Sequence, residues 1–409
     1  MNRGEGGLRI LFVHSGVDLY GASRSLLRLA SRLVRDGHAV LAVLPGDGPL
    51  RVELESNRVE VLVHRRMPVV TRARMRSLRG VLSLLFNIPV SILWLWRVSF
   101  RFRADLMHTN TAVILSPGFV ARLRGIPHVW HVREFFAEFG KLWGAYQWAM
   151  HALADVIVCV STPVARQFAP RILRKKTLVL HNGFPREEFG EVDEARIGAF
   201  RTRFGLGSSR LVGVVGRIKA GRKGQDSFVR AVARLKGRFP DVRYVLIGSP
   251  FPGNEDHLER VQALIGELGL TREVVCTGDV ADIKAAYASL TISVLPSGLP
   301  EPFGGVVIES MAMGKPVVGT RHGGTIEQVD DGMTGLLVPP GDPAALASAL
   351  AQLLGDPDQA RRMGEAGRER FLRLFEFEPF YRKMTDLYAR LRSGLGKSPP
   401  AGARFIPRV

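Results

Sequence analysis

Ser297–Glu309 reads SGLPEPFGGVVIE, and the fold is read outward from it. The apolar run Thr291–Leu295 just before it has the length and composition of a buried parallel strand. Pro296, Pro300 and Pro302 then hold the chain extended, because a proline disfavours helix in the residue before it. After Gly304 and Gly305 comes VVIESMAM, a mostly apolar helix start. A carboxylate, Glu301, therefore sits in a loop at the C-terminal end of a strand, directly ahead of a helix N-terminus. Such a terminus carries free backbone N–H groups and partial positive charge, so it can hold a phosphate. Glu309 lies further along that helix.

A glycosidase acid and base would also be a pair of carboxylates. Here a loop and more than one helical turn separate them, roughly 9–12 Å at ~1.5 Å rise per residue. Two carboxylates acting on one bond lie roughly 5–9.5 Å apart. Two carboxylates gripping different parts of one long ligand fit the spacing better.

The chain of 409 residues predicts two domains or more, and 46% hydrophobic residues suffice for two sizeable cores. Two cysteines, Cys159 and Cys276, lie far apart in apolar runs, which predicts a reducing compartment rather than a disulfide framework. No signal-peptide pattern is visible, since Arg9–Val13 is too short an apolar run. No segment carries three or more Cys or His at metal-ligand spacing. The net charge of +19 favours an anionic partner. Nucleic acid is disfavoured, because no helix-turn-helix, zinc-finger or RNP signature accompanies the charge. Between Arg65 and Arg103 there are nine Arg residues and no Asp or Glu. Within it, Val81–Trp96 is apolar, carries Trp94 and Trp96, and contains Pro89. It is shorter than the roughly 20 residues that span a bilayer, and proline should break or kink it. A basic, Trp-bearing, non-spanning segment suits docking on an anionic leaflet; a buried helix with a solvated Arg rim is the plainer reading.

Leu8–Val13 predicts a strand, the loop HSGVDLYGAS follows, and Arg24–Val34 shows a helical leucine face. The loop lacks the dinucleotide fingerprint. Strand-like runs recur at His38–Leu44, Val59–Val63, Leu106–His108, His128–Trp130, Val156–Val160 and Thr177–Leu180. Helical segments alternate with most of them, which predicts a mostly parallel, helix-flanked sheet whose ligands lie beyond the C-terminal strand ends. His131, in PHVWHVREFF, falls at such an end; His108, Asn110 and Glu134 are secondary candidates. After the polar stretch Pro185–Ala195, Leu211–Val215 begins a second series of strand–helix units. Its first strand ends in Gly216-Arg217, and a basic loop leads to Lys223-Gly224. Cationic donors there suit an anionic ligand. The Asp356-Pro357-Asp358 turn reads as a helix cap, not a metal site.

EPFGGVVIE resembles the Glu-x7-Glu motif of retaining glycosyltransferase family 4, and the resemblance covers nearly the whole chain, most strongly from Leu211 to Asp342. It implies an α/β fold of GT-B type: two facing Rossmann-like, doubly wound domains with a cleft between them. The expected organisation is an acceptor domain over 1–184, a linker over 185–210 and a nucleotide-sugar domain over 211–375. A helix over 376–392 returns to brace the first domain, and a mobile basic tail covers 393–409. By the same resemblance Glu301 grips the donor sugar, His131 lies beside it, and Arg217, Lys223, Phe303 and Gly304 hold the donor diphosphate. The cations there would meet the charge that develops on the leaving diphosphate, and Lys219 or Arg222 can take the place of Lys223. Glu309 would bind the ribose, Gly21 belongs to the acceptor or phosphate loop, and Gly323, Gly324 and Glu327 shape the sugar end. Of the family's usual pair of adjacent glycines only Gly21 is present, and Val132 replaces the common Asp after the histidine. The implied reaction is retaining, metal-independent transfer from a UDP- or GDP-sugar to a lipid-linked or cell-envelope acceptor, with no cofactor. The enzyme would work in the cytoplasm, peripheral on the inner face of the cell membrane. A nucleotide-sugar epimerase of the same fold and a catalytically silent, membrane-bound scaffold are the rival readings.

Overall fold

The computed structural model describes residues 7–136 and 139–394, without the side chains of Arg72, Ala73 and Lys141; the predicted tail lies outside them from residue 395 onward. The chain forms two compact units, Met1–Asn182 with Phe380–Val409, and Gly183–Pro379.

The first unit is built on a seven-stranded sheet: β1 (Arg9–Val13), β2 (Ala39–Leu44), β3 (Glu60–Val63), β4 (Leu106–Thr109), β5 (His128–Val132), β6 (Val156–Cys159) and β7 (Thr177–Val179). All neighbours pair parallel in the order β3-β2-β1-β4-β5-β6-β7. The strands are continuous apolar runs because helices cover both faces. The order reverses between β1 and β4, where ligands collect in open parallel sheets. The part of the helix Phe377–Arg392 from Phe380 onward belongs to this unit and buries Tyr381, Met384, Leu387 and Tyr388.

The second unit carries β8 (Arg210–Val215), β9 (Val242–Ile247), β10 (Val274–Gly278), β11 (Ile292–Leu295), β12 (Val317–Thr320) and β13 (Gly335–Val338). They pair parallel in the order β10-β9-β8-β11-β12-β13, so the reversal lies between β8 and β11. That places the loops after these two strands, which carry Arg217–Lys223 and Glu301, side by side.

Two expectations are corrected. Residues 185–210 are folded into the second unit rather than left as a linker: the helix Glu194–Arg203 buries Phe200 against Leu211, Ala285 and Tyr287, and Arg196 forms a two-pronged ion pair with Asp282 at 2.7 and 2.8 Å. The apolar segment around Trp94 is one continuous 24-residue helix, Leu78–Arg101, running through Pro89. By length and composition it is sufficient to cross a membrane. Pro89 is exposed, so water can serve the Leu85 carbonyl that loses its helical donor. One stripe of this helix, Leu84, Ser91, Leu95 and Ser99, is buried. Ser91 Oγ lies 2.9 Å from Ser116 Oγ, and the His64 ring stacks on Trp94 at 4.5 Å.

Candidate active site

In the second unit the site is built at the β8/β11 reversal. The loop after β11 leads into the helix Gly305–Ala312, whose N-cap Gly304 has φ 33° and ψ 63°. A side chain at Gly304 would press on Gln328 Oε1 and Leu295 Cδ2, both 3.2 Å away, so only glycine makes this entry without strain. The first amides of the helix have no intrahelical acceptor and are available to an anion.

Glu301 is 9% exposed. Its carboxylate accepts from Ser297 Oγ at 2.8 Å and from Lys223 Nζ at 2.8 and 2.9 Å. Its backbone carbonyl accepts from Gly324 N at 2.7 Å. Gly323, at φ +58°, packs so closely that a Cβ would overlap the Glu301 backbone, and one at Gly324 would press on Pro302 and Phe303. The diglycine thus holds the Glu301 loop from one side. The basic loop holds it from the other: Gly298 N and Leu299 N donate to the Arg222 carbonyl at 3.0 and 3.2 Å, and Gly224 abuts the Pro296 carbonyl. The Lys223 ammonium meets Glu301 as an ion pair. Arg217 is half-buried, with its guanidinium 4.5 Å over the Phe251 ring and Nη1 3.4 Å from the Pro250 carbonyl. Gln225, which the sequence reading missed, is buried between the two cations: it donates to the Arg217 carbonyl at 2.9 Å and accepts from Lys219 N at 3.3 Å.

Glu309 is half-buried and accepts from the Tyr287 hydroxyl at 2.7 Å. Tyr287 was also missed; its signal was a lone aromatic in the alanine-rich run Ala285–Ala288. Phe303 differs from its expected role. Its side chain is 6% exposed and packs in an aromatic cluster, 6.3 Å from Phe184 and 6.2 Å from Phe375 between ring centroids. Its ring belongs to the core, and only its backbone can serve a ligand. Glu327 is half-buried in the short helix Thr325–Gln328. Asp356 caps the helix Pro357–Leu374 by accepting from Gln359 N at 2.8 Å. No three His, Cys, Asp or Glu side chains gather as a metal-ligand group among the described residues.

In the first unit, a polar cluster lies at the C-terminal ends of β1, β4 and β5. Its centre is Arg133, a buried residue that the sequence reading passed over. Its guanidinium donates to Asn110 Oδ1 at 3.0 Å, Asn182 Oδ1 at 2.6 Å and Ser25 Oγ at 3.0 Å, and lies 3.3 Å from His131 Nδ1. An arginine has only donors, so His131 Nδ1 accepts and the proton of its neutral ring rests on Nε2. That nitrogen has no partner, and the ring is completely buried. Burial, then Arg133 and His108, holds His131 well below the usual imidazole range. His131 is therefore neutral and enclosed, not an exposed group at the strand end. His108 is likewise enclosed, with Nδ1 2.6 Å from the Tyr388 hydroxyl. The Glu134 carboxylate accepts from Thr111 Oγ1 at 2.5 Å, Arg133 N at 2.9 Å and Ala112 N at 3.2 Å; burial nevertheless raises its pKa. The loop after β1 contributes His14, whose Nε2 lies 3.0 Å from Ser23 Oγ. Gly21 opens the helix Gly21–Arg35 with empty space where a Cβ would stand; the crowded glycine of this loop is Gly16, against His14 and Ser23 at 3.1 Å.

Comparison with known proteins agrees with this architecture. Residues 20–188 match the family described as Glycosyltransferase Family 4, and residues 200–370 match Glycosyl transferases group 1. The chain is 34% identical over 224 residues to a GDP-mannose-dependent alpha-(1-6)-phosphatidylinositol monomannoside mannosyltransferase of Mycolicibacterium smegmatis, a match covering 53% of this chain and 57% of that protein. To the alpha-maltose-1-phosphate synthase of the same organism it is 30% identical, covering 70% of this chain and 79% of the relative. The structure of Anabaena HepE in complex with UDP and glucose superposes with a TM-score of 0.79 at 23% identity, over 93% of this chain and 99% of that one, which speaks to the fold. With two parallel, doubly wound sheets and both family segments in order, the chain belongs to glycosyltransferase family 4 and has the GT-B fold.

Proposed function

We propose that the protein transfers a sugar, with retention, from a nucleotide-diphospho-sugar to a hydroxyl of a lipid-linked or cell-envelope acceptor, without a metal. The observation that carries this is the Lys223–Glu301 pair, fixed at the β8/β11 reversal next to a glycine-capped helix N-terminus. A carboxylate pinned by Ser297 and Lys223 keeps one free direction for sugar hydroxyls. Arg217, Lys223 and the first amides of the helix Gly305–Ala312 would take up the charge that develops on the diphosphate as the glycosidic C–O bond breaks. The acceptor oxygen forms the new bond from the side the diphosphate leaves, and a phosphate oxygen takes the acceptor proton. Glu309, oriented by Tyr287, would accept from the ribose. In the first unit, the completely buried His131 would act by holding the Arg133 guanidinium, not by touching a ligand. The nucleotide-sugar reading draws on HepE, solved with UDP and glucose, and on the GDP-mannose-dependent relative.

A cytoplasmic, membrane-peripheral placement is part of the same reading. The helix Leu78–Arg101 exposes Leu78, Leu82, Leu85, Phe86, Leu93 and Trp96 opposite its docked stripe. Arg74, Arg76 and Arg79 stand exposed at its start. A helix tied to its unit along one stripe suits lying in the headgroup layer.

The test is a thermal-shift screen against UDP, GDP, ADP, CDP and their common sugars, run with and without EDTA. A ligand that binds only the folded state raises the melting temperature. One nucleotide should give a clear shift that disappears in Arg217→Ala and Glu309→Ala. No shift with any nucleotide overturns the donor reading, and a shift abolished by EDTA overturns the metal-free one.

A further inference from the structure

The first unit contains an apolar pocket of about 330 Å³ that is no part of the candidate active site. Leu84, Leu85 and Ile88 of the helix Leu78–Arg101 form one wall; Phe136, Trp143 and Tyr146 form the other. The second wall is stiff, with Phe136 stacked on Trp143 at 5.0 Å and on Tyr146 at 5.7 Å between centroids. Its polar atoms are already used: the Tyr146 hydroxyl donates to the Ala112 carbonyl, and Trp143 Nε1 donates to the Gln167 carbonyl at 3.0 Å. An apolar cavity with no free hydrogen-bonding group does not hold water well, so its natural occupant is hydrocarbon.

Two observations narrow that occupant. The helix that walls the pocket exposes Leu78, Leu82 and Phe86 at 75, 55 and 65%, beside exposed Arg74, Arg76 and Arg79. With no acidic residue from 65 to 103, this pairs hydrocarbon with an anionic head. The pocket wall is also bonded to the polar cluster at the strand ends. Tyr146 holds the Ala112 carbonyl, and the Ala112 amide donates to Glu134, which also receives Thr111 and the Arg133 amide. Met75 also lines the pocket, between the exposed Arg74 and Arg76, so an anionic head meets cations at the pocket's edge. We infer that the pocket takes one hydrocarbon chain of the acceptor itself, a phosphate-bearing lipid. The inference rests on the lipid-linked acceptor reading and adds the residues that recognise the lipid.

Ala145 lines the pocket and is exposed, so Ala145→Trp fills the space without entering the core. Ala149→Phe fills it from one turn further along the same helix. The probe is dodecyl phosphate below its micelle concentration, titrated calorimetrically into the full chain, with inorganic phosphate as control. Saturable one-to-one binding is expected, at least tenfold tighter than phosphate and at least tenfold weaker in either folded variant. Absence of saturable binding, or equal binding by wild type and variants, overturns the inference. Nucleotide titration of the same samples separates the two readings. Wild-type protein that binds nucleotide but not dodecyl phosphate loses the lipid pocket and keeps the transferase; protein that binds neither loses both.

Discussion

Lys223 sets its ammonium 2.8 and 2.9 Å from the two carboxylate oxygens of Glu301, although 78 residues separate them in sequence. The carboxylate is nearly enclosed, so removing the cation leaves it with Ser297 as its one other side-chain partner among the bonds described. Lys223→Ala should cost about 1–3 kcal/mol of stability and lower kcat by roughly 100–1000-fold. Glu301→Gln keeps the volume and the Ser297 contact, so it should lose activity with a smaller change in urea midpoint. Equal loss of stability in both variants would make the pair a structural brace only.

Tyr287 donates a 2.7 Å hydrogen bond to Glu309. Tyr287→Phe keeps the buried ring and removes the hydroxyl that makes that bond. Nucleotide affinity should fall by roughly 3–10-fold, in line with the ~1 kcal/mol net worth of a hydrogen bond. Calorimetric titration with the nucleotide from the screen checks this. An unchanged Kd would mean that Glu309 needs no such support.

Two glycines from the sequence reading should behave oppositely. Gly323→Ala puts a Cβ into the Glu301 backbone at a φ of +58°, and should destabilise by more than about 1–3 kcal/mol while disabling transfer. Gly21→Ala meets nothing within 4 Å at the first position of its helix, and should be neutral or raise the melting temperature slightly. A large activity loss in a folded Gly21→Ala protein would show that a ligand needs the space there.

These contrasts mark what the sequence made legible. Continuous apolar runs bounded by small-residue loops located the strands, because a parallel sheet buried on both faces leaves that trace. The strand-end position of Glu301, Arg217 and Lys223 followed from the same trace. Side-chain partners did not follow. Ser297, Gln225 and Tyr287 are polar residues in apolar or loop context, and only tertiary packing brings them to their charged neighbours. Arg133 looked like one more cation in a basic chain until burial among Asn110, Asn182 and Ser25 made it the centre of a cluster. Pro89 was misread because helix breaking was weighed without the exposed face that relieves it.

Stability should fall in mild acid. Burial lowers His14 to about 4, with Arg133 adding to it, and burial lowers His128 to about 4. An unfolded imidazole titrates near 6.5, so between these values the unfolded chain binds protons that the fold refuses. Stability therefore drops as pH falls from about 6.5 to about 4, by about 3 kcal/mol for each such histidine, and this contribution levels off below. Glu134 acts in the opposite sense, because its raised pKa lets the fold take up a proton first. Urea titrations between pH 4 and pH 7.5 should show a shallower slope in His128→Gln. An identical slope would remove His128 from the acid response.

Membrane binding should depend on the arginines at the start of the exposed helix and on its apolar face. Each Arg near an anionic surface contributes about 1 kcal/mol, so replacing Arg74, Arg76 and Arg79 together with Ala should weaken sedimentation with phosphatidylglycerol vesicles by roughly 100-fold. High salt should mimic the triple variant, since the Debye length shrinks to about 3 Å at 1 M. Phe86→Asp places a charge on an exposed apolar position and should release the protein even at low salt, because it opposes insertion rather than attraction. The triple variant and Phe86→Asp leave the second unit untouched, so nucleotide binding serves as the control. If both variants sediment with vesicles as wild type does, the helix faces something other than a bilayer.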